Sequence, residues 1–427
     1  MTLTPSGYRP RLIDPLISDY LQSFGAISIE GPRYCGKTWT ALHHANSSFM
    51  IADPKYNHSN KNRALIDVSS IFEGEEPRLI DEWQEVPTIW DATRFEVDKS
   101  SKKGRLILTG SSTPVKDKII HSGAGRIGSL RMRTMSSYEM GTSDGRVSLQ
   151  SLFDSTFSNS FSDERTTLQK LCEDISRGGW PGNMNIDIEH VSNNIDDYIR
   201  KIASDAVRIC GNTISEEKMM ILFRSLARNE STLASNSTIA KDTGLENRNG
   251  LDARTVSKYI DLLKQLYIIE DTPAFDPSFR SPERVGLRCK RHLTDPSLAV
   301  SAMGMNPKKL IRDLNTTGFM FEAMCERDLD IYARACGGSL YHYRDGKGRE
   351  IDAVVEMPDG RWGAFEIKLG TNQIDEAAEE LSKIRDFFVS KNVGKKPSFL
   401  CVVYGVGSDA YRREDGVYVI PITALRN

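Results

Sequence analysis

Eight consecutive residues, Gly31-Pro32-Arg33-Tyr34-Cys35-Gly36-Lys37-Thr38, match the pattern G-x-x-x-x-G-K-[ST] without a mismatch. Each residue type has a use in gripping phosphate. Gly31 and Gly36 let backbone N–H groups turn inward, Lys37 extends an ammonium to β- and γ-phosphates, and Thr38 offers a hydroxyl to magnesium. Pro32, Arg33, Tyr34 and Cys35 form the body of the loop. Near Trp39 a helix opens, and its N-terminal partial charge faces the anion. The strand-like run AISIE stands directly before the loop. A strand before and a helix after distinguish a phosphate loop from an ordinary Gly-rich turn.

A second constellation, Arg78-Leu79-Ile80-Asp81-Glu82, is a short apolar run ending in two acids. Alone it is a common pattern. Downstream of a phosphate loop it places Asp81 to hold magnesium through water and Glu82 to polarise an attacking water. The run 106–109 reads as the next strand, and the hydroxyls of Thr109 and Ser111 at its end can sense a γ-phosphate or simply cap a turn. The segment HSGAGRI, residues 121–127, presents Arg126 between glycines, with Arg131 and Arg133 following. Arg126, ahead of the other two, can serve as a finger completing a neighbouring subunit's site; the bland reading is a surface ion pair.

Toward the C-terminus, Glu350-Ile-Asp352 on one strand precedes Glu366-Ile-Lys368 on the next. Alternation in a strand puts Glu366 and Lys368 on one face, and a hairpin through PDGR can bring Asp352 beside Glu366. With Glu322 from the preceding helix, these groups can bind magnesium and orient a water for phosphodiester cleavage. Alternating charges also commonly line a solvated strand face. Arg254 and Lys258 lie off the apolar face of a helix marked by Val256, Ile260 and Leu263. Nearby, Arg280, Arg284, Arg288, Lys290 and Arg291 form a denser basic cluster suited to phosphate contacts on DNA.

The elements that must position these groups change character along the chain. Strand-like runs at 26–29, 79–80 and 106–109 alternate with helical stretches, which predicts a parallel sheet with flanking helices. A Ser/Asp/Thr-rich stretch, 142–167, reads as an insertion or linker. From 215 to 275 the order is helices at 219–227, 237–243 and 252–266, then a hairpin opening at Ile268-Ile269, the order of a winged helix-turn-helix. A helix at 318–335, three strands at 339–344, 349–356 and 361–368, a helix at 375–388 and two more strands follow. The expected domains are 1–205, 206–285 and 286–427.

Composition sets the bounds. With 427 residues, 56 basic and 58 acidic side chains and 39% hydrophobic residues, the chain is expected to form two or three globular domains. A net charge of −2 argues against retention on nucleic acid by bulk charge, while leaving local basic patches open. Seven scattered cysteines without a CxxC pair point to a reducing cytosol, with neither a disulfide framework nor a zinc site. No apolar run reaches the ~20 residues that span a bilayer, so a cytoplasmic protein with no membrane partner is expected.

The runs GPRYCGKT, RLIDEWQEVP, RLILTGSS, SGAGRI, LRMRTMSSYEMG and GGWPG, in that order, resemble a widespread prokaryotic family of AAA-type ATPases. Its C-terminal half is usually catalogued as a domain of unknown function. The resemblance runs from Tyr8 to about Gly370. It implies an ASCE-type P-loop core, with an added strand between the two Walker strands and a catalytic Glu, carried here by Lys37, Thr38, Asp81, Glu82 and Arg126. Trp83 stands where the family usually has an aliphatic residue, and Gly182 where an acid is common; both bear on partner or subunit contacts. The C-terminal order of helix-Glu, strand-Asp, strand-ExK, helix and strand resembles the PD-(D/E)XK nuclease fold. The expectation is an α/β chain that uses ATP and Mg2+ and acts on DNA or a DNA-bound complex, possible as a homo-oligomer. Two alternatives stay open: a nucleotide-switched assembly protein with a protein partner, and an ATP-regulated nuclease.

Overall fold

The first five strands are β1 (Ala26–Glu30), β2 (Ser47–Met50), β3 (Arg78–Asp81), β4 (Leu106–Gly110) and β5 (Ile127–Arg131), all but β2 carrying Ile or Leu. They pair in parallel in the order β2-β3-β4-β1-β5. β4 therefore lies between β1 and β3, where the added strand is expected. Parallel neighbours need crossover connections. Among these are α2 (Lys37–His44), α3 (Lys55–Ile66) and α4 (Thr88–Asp98), with α1 (Asp14–Ser23) preceding the sheet. Alternation along the strands divides the core in two. Ile27, Ile29, Leu79 and Ile107 pack with Ile17 and Ala41, while Ile80, Leu106 and Leu108 pack with Trp83, Ile89, Trp90 and Val97. Trp83, the departure noted in the sequence, is a core side chain with its ring 4.8 Å from that of Trp90.

This computed structural model describes residues 3–112, 120–209, 215–244, 250–278, 281, 283–391 and 394–427. The chain divides into two compact units, Met1–Thr134 with Lys264–Ile268, and Met135–Leu263 with Ile269–Asn427. The cut falls inside the segment 1–205 expected to be one domain. Residues beyond it are tied to the second unit: Met135 N–H donates to the Gly179 carbonyl at 2.7 Å, and Ser137 N–H to Asp328 at 3.0 Å. Among the described residues no helix is long and apolar enough to cross a membrane.

The second unit opens with α5 (Ser137–Met140), β6 (Val147–Ser148), α6 (Leu149–Phe153), α7 (Leu168–Arg177) and α8 (Ile188–Ile209). Next come α9 (Glu216–Arg228), α10 (Asn236–Gly244), α11 (Ala253–Gln265) and an antiparallel pair, β7 (Ile269–Thr272) with β8 (Lys290–Leu293), separated by α12 (Glu283–Gly286). After α13 (Pro296–Ala302), α14 (Pro307–Leu310) and α15 (Leu314–Ala335), strands β9 (Ser339–Arg344), β10 (Glu350–Glu356) and β11 (Trp362–Lys368) form an antiparallel meander. Then α16 (Ile374–Lys391) crosses to β12 (Phe399–Tyr404), which pairs in parallel with β11. β13 (Tyr411–Arg412) and β14 (Tyr418–Pro421) complete a sheet ordered β13-β14-β12-β11-β10-β9, and β15 (Leu425–Arg426) pairs with β6. Its core includes Trp362, Leu381, Phe388, Val402 and Val419.

The GGWPG run has a packing reason. A Cβ on Gly179 would sit 2.0 Å from the Met135 carbonyl oxygen. The Gly179 N–H donates to Asp295 at 2.9 Å, and Asp295 is ion-paired with buried Arg327 at 2.9 Å. Gly179→Ala is therefore expected to destabilise the second unit by about 1–3 kcal/mol. Gly182→Ala, where nothing lies within 4 Å of an added Cβ, should change stability by less than about 0.5 kcal/mol. Equilibrium denaturation of the two variants checks the contrast.

Candidate functional site

The parallel register brings the ends of β1, β3 and β4 to one edge. Glu30 is level with Gly110 and Arg131, and Ile80 with Leu108, so the segments after these strands share the C-terminal side of the sheet. There Tyr34 and Gly36 take left-handed backbone (φ 63° and 104°), and Gly36 is the N-cap from which α2 starts at Lys37. Gly31 is clamped: a Cβ would meet the Met132 carbonyl oxygen at 2.2 Å, and its N–H donates to the Gly110 carbonyl at 3.3 Å. Lys37 is buried, and its ammonium donates to the Pro32 carbonyl at 2.8 Å, across the loop. Tyr34 and Trp39 are exposed, Pro32 and Cys35 are buried, and Arg33 is half-buried.

Two buried or half-buried hydroxyls converge on one carboxylate oxygen. Thr38 Oγ1 and Thr109 Oγ1 both donate to Asp81 Oδ1, at 2.8 and 2.6 Å. Burial raises the Asp81 carboxyl above its ordinary range, and the two hydroxyls partly offset that rise. Glu82 sits at φ 58°, a strained conformation for a non-glycine residue, and its N–H donates to Thr109 Oγ1 at 3.2 Å. Its carboxylate accepts from Ser111 Oγ at 3.0 Å and from the Gln84 amide. Thr109 and Ser111 are thus bonded to the two acids. The Thr38 hydroxyl and Asp81 carboxylate are hard oxygen donors beside the Lys37 loop, a set that fits Mg2+.

Sequence reasoning missed several supporting groups. Arg11 donates to the carbonyls of Cys35 (2.8 Å) and Arg133 (3.1 Å), bracing the loop from behind. Tyr267 donates to Glu30 at 2.8 Å and lies under the Arg131 guanidinium at 4.0 Å. Gln84, inside the run RLIDEWQEVP, donates to Glu82 and to Ser111. The contacts of Arg11 and Tyr267 leave no local sequence pattern, because the partners are far apart in the chain.

Arg126 is at the other end of the sheet. It precedes Ile127, which is level with Ala26 at the start of β1, whereas Arg131 is level with Glu30 beside the loop. About five residues of strand, roughly 16 Å, separate Arg126 from the phosphate loop within one chain. Its guanidinium is ion-paired with Asp98 at 2.9 Å.

In the second unit the β10–β11 register ends at Ala353 opposite Phe365, with Asp352 and Glu366 the next residue on each strand, beside a bulge in β10 between Ile351 and Val354. The Lys368 ammonium lies 2.7 Å from Glu366 and 3.9 Å from Asp352, and the Ile367 N–H donates to Asp352 at 2.8 Å. Burial, with Asp352 alongside, pushes Glu366 up to about 8. Glu322, on α15, is paired with the Lys290 ammonium, which also contacts Glu326 at 2.9 Å. Burial disfavours that ammonium, but Glu326, Glu322 and Asp352 outweigh it and hold it charged well above its ordinary range. Among the described residues, the group of three His, Cys, Asp or Glu side chains with ligand atoms within 4.8 Å of one another is Asp14, His43 and His44 in the first unit. Glu322, Asp352 and Glu366 do not close to that spacing; the cations among them are Lys290, on Glu322, and Lys368, on Glu366.

This corrects one expectation. Lys290, grouped with residues reaching for DNA phosphate, is 2% exposed and committed to buried carboxylates. Arg284 is half-buried, pairs with Glu356 at 2.8 Å and lies 5.2 Å from the Phe275 ring. Arg291 donates to Asn236 at 3.2 Å and lies 3.6 Å from Asp271. Arg254, Lys258 and Arg288 are exposed, and Arg280 lies outside the described residues. Val256, Ile260 and Leu263 are buried, as their helical spacing predicts.

Residues 23–141 match a family described as an AAA domain. Residues 168–309 match a "Domain of unknown function (DUF8612)" and residues 317–425 a "Domain of unknown function (DUF4143)". No curated protein matches the chain. Among solved structures, the Walker-type ATPase PABY2304 of Pyrococcus abyssi aligns at 10% identity and a TM-score of 0.42, covering 70% of this chain and 97% of that one. A likeness that low bears on neither fold detail nor function.

Two outcomes follow from the acidic cluster. Folded Glu366 keeps a proton to about 8, whereas its ordinary value is 4.5. In that window the native state binds more protons than the unfolded chain, so stability falls as pH rises, by up to about 1.4 kcal/mol per pH unit for this group. Denaturation in EDTA from pH 5 to 8 should show that decline, and Glu366→Gln should flatten it. Lys290→Met strips the buried carboxylates of their cation and should cost about 3–5 kcal/mol in the same assay.

Proposed function

We propose that this chain, whose residues 23–141 match an AAA domain family, binds ATP with Mg2+, hydrolyses it, and uses turnover to act on DNA or a DNA-bound complex. The observation that carries the ATPase reading is the gathering of Lys37, Thr38, Asp81 and Glu82 on one sheet edge, with each acid held by hydroxyls from the neighbouring strand or loop. Lys37 exchanges the Pro32 carbonyl for β- and γ-phosphate oxygens, and the loop N–H groups take the remaining charge. Thr38 and, through water, Asp81 hold Mg2+, which would neutralise charge developing on the phosphates. Glu82, oriented by Gln84 and Ser111, accepts hydrogen bonds from the attacking water and aligns it with the γ-phosphorus. Ser111, bonded to Glu82, is placed to couple occupancy of the γ-phosphate site to that alignment.

The DNA reading rests on the second unit. The order α9, α10, α11, then the antiparallel β7–β8 pair, is that of a winged helix-turn-helix, with Arg254 and Lys258 exposed on the third helix. The mixed sheet, with Asp352, Glu366 and Lys368 on its inner strands β10 and β11 and Glu322 on α15, resembles a PD-(D/E)XK module. The Lys290 ammonium seated on Glu322 favours a module that binds nucleic acid over one that cleaves it. Arg126, remote from its own loop, would serve as a finger only toward another copy, which makes a homo-oligomer part of the proposal.

Steady-state ATPase assays with and without duplex, forked and single-stranded DNA test both halves. Lys37→Ala should abolish ATP turnover, and Glu82→Gln should keep binding at the phosphate loop while lowering kcat by at least about 100-fold. Wild-type activity that survives Lys37→Ala overturns the ATPase reading. Absence of DNA stimulation, together with no DNA binding at low salt, overturns the DNA reading. Magnesium-dependent cleavage that disappears in Lys368→Ala would restore the nuclease.

A further inference from the structure

A cavity of about 480 Å³ opens among α8, α9 and the end of α13, within the second unit and sharing no residue with the phosphate loop or the carboxylate cluster. Arg200, Arg224 and Arg228 line it, against one carboxylate, Asp196. On an ordinary helical surface such arginines find acids one turn away, as Lys201 finds Asp197 at 2.6 Å. Here no such pair forms for Arg200 or Arg224 among the described residues. Asp196, one turn before Arg200, accepts from the Ser301 hydroxyl. One turn before Arg224 stands Met220, and one turn after it stands Arg228, a like charge. Arg200 and Arg224 make no hydrogen bond or ion pair with any described residue. Arg228 is fixed by Asp242, through contacts of 3.0 and 3.3 Å that engage Nη2 and Nε. The same cavity has apolar lining from Met220 and Met303.

We propose that this cavity binds a nucleotide, either free or as part of a single strand. Guanidinium forks match phosphate oxygens in a bidentate way that a lone ammonium does not, and uncompensated arginines arranged around one space gain most from a polyanion. Thioethers pack favourably against aromatic rings, so the methionine wall suits a base stacked beside its phosphate. The volume falls in the range of sites that enclose a ligand of nucleotide size. Phosphate supplies the affinity and the apolar wall the preference for a base over inorganic anions. An acidic peptide would satisfy the charge but leave the thioether wall without a ring.

The test uses the full chain carrying Lys37→Ala, so that the phosphate loop does not contribute and the ATPase reading stands or falls separately. Mant-ATP and a fluorescein-labelled ten-residue oligothymidylate are titrated by fluorescence anisotropy. Binding of either probe is expected, and the two arms separate free nucleotide from strand. Arg200→Ala with Arg224→Ala should weaken it at least tenfold and, for the oligonucleotide, reduce the log–log salt slope by about 1.4, the share of two phosphate contacts. Both arginines are exposed, so circular dichroism and thermal unfolding should be unchanged. Failure of both probes to bind, binding that survives the double substitution, or displacement by polyglutamate as effective as by unlabelled oligonucleotide overturns the proposal.

Discussion

The parallel pairing of β4 with both β1 and β3 is the constraint on which the first unit's chemistry depends. It holds Gly31, Asp81 and Thr109, which are far apart in the sequence, at one edge of the sheet. Thr109 then becomes the joint of the site: its hydroxyl donates to Asp81 and accepts from the Glu82 N–H, so one buried side chain sets both acids. A shift of one residue in β4 would send that hydroxyl to the opposite face of the sheet. The left-handed backbone at Glu82 is tolerated because its N–H and carboxylate are both held.

The second unit shows a different solution to clustered charge. Glu322, Glu326, Asp352 and Glu366 face one another with limited solvent, an arrangement that drives protonation or recruits a cation. Two lysines answer it. Lys368 serves Glu366 and Asp352 from the same hairpin, and Lys290 serves Glu322 and Glu326 from a distant strand. A buried pair of this kind adds little net stability, yet removing one member leaves an uncompensated charge. Lys290 thereby links β8 to α15 through Glu322 and Glu326.

Much of this architecture was legible in the sequence because it rests on local pattern. The phosphate loop declares itself through fixed spacing, and the β10–β11 hairpin through PDGR flanked by alternating residues, which pairs Ala353 with Phe365 next to Asp352 and Glu366. The apolar face of α11 follows from the spacing of Val256, Ile260 and Leu263. Basic residues were harder to read. Composition groups Arg284, Lys290 and Arg291 as one cluster, but burial separates them: Lys290 is inside, Arg284 is paired with Glu356, and Arg288 is exposed. A lysine's letter carries its charge and not its solvent access.

The sequence by itself determined the identities and order of the candidate groups, since Gly31 to Thr38, Asp81 and Glu82 are marked by residue type and by neighbours within a turn or a strand. Tertiary structure alone decided which distant groups serve them. Arg11 behind the loop, Tyr267 on Glu30, and Lys290 among the carboxylates are contacts between segments tens to hundreds of residues apart. It also decided that Arg126 and Arg131, five residues apart, stand at opposite ends of one strand, with Arg131 beside the phosphate loop. The physical reason is that periodicity fixes the face a side chain takes on its own element. Which element meets that face is set by strand order and register, and those emerge only when the whole sheet closes its core.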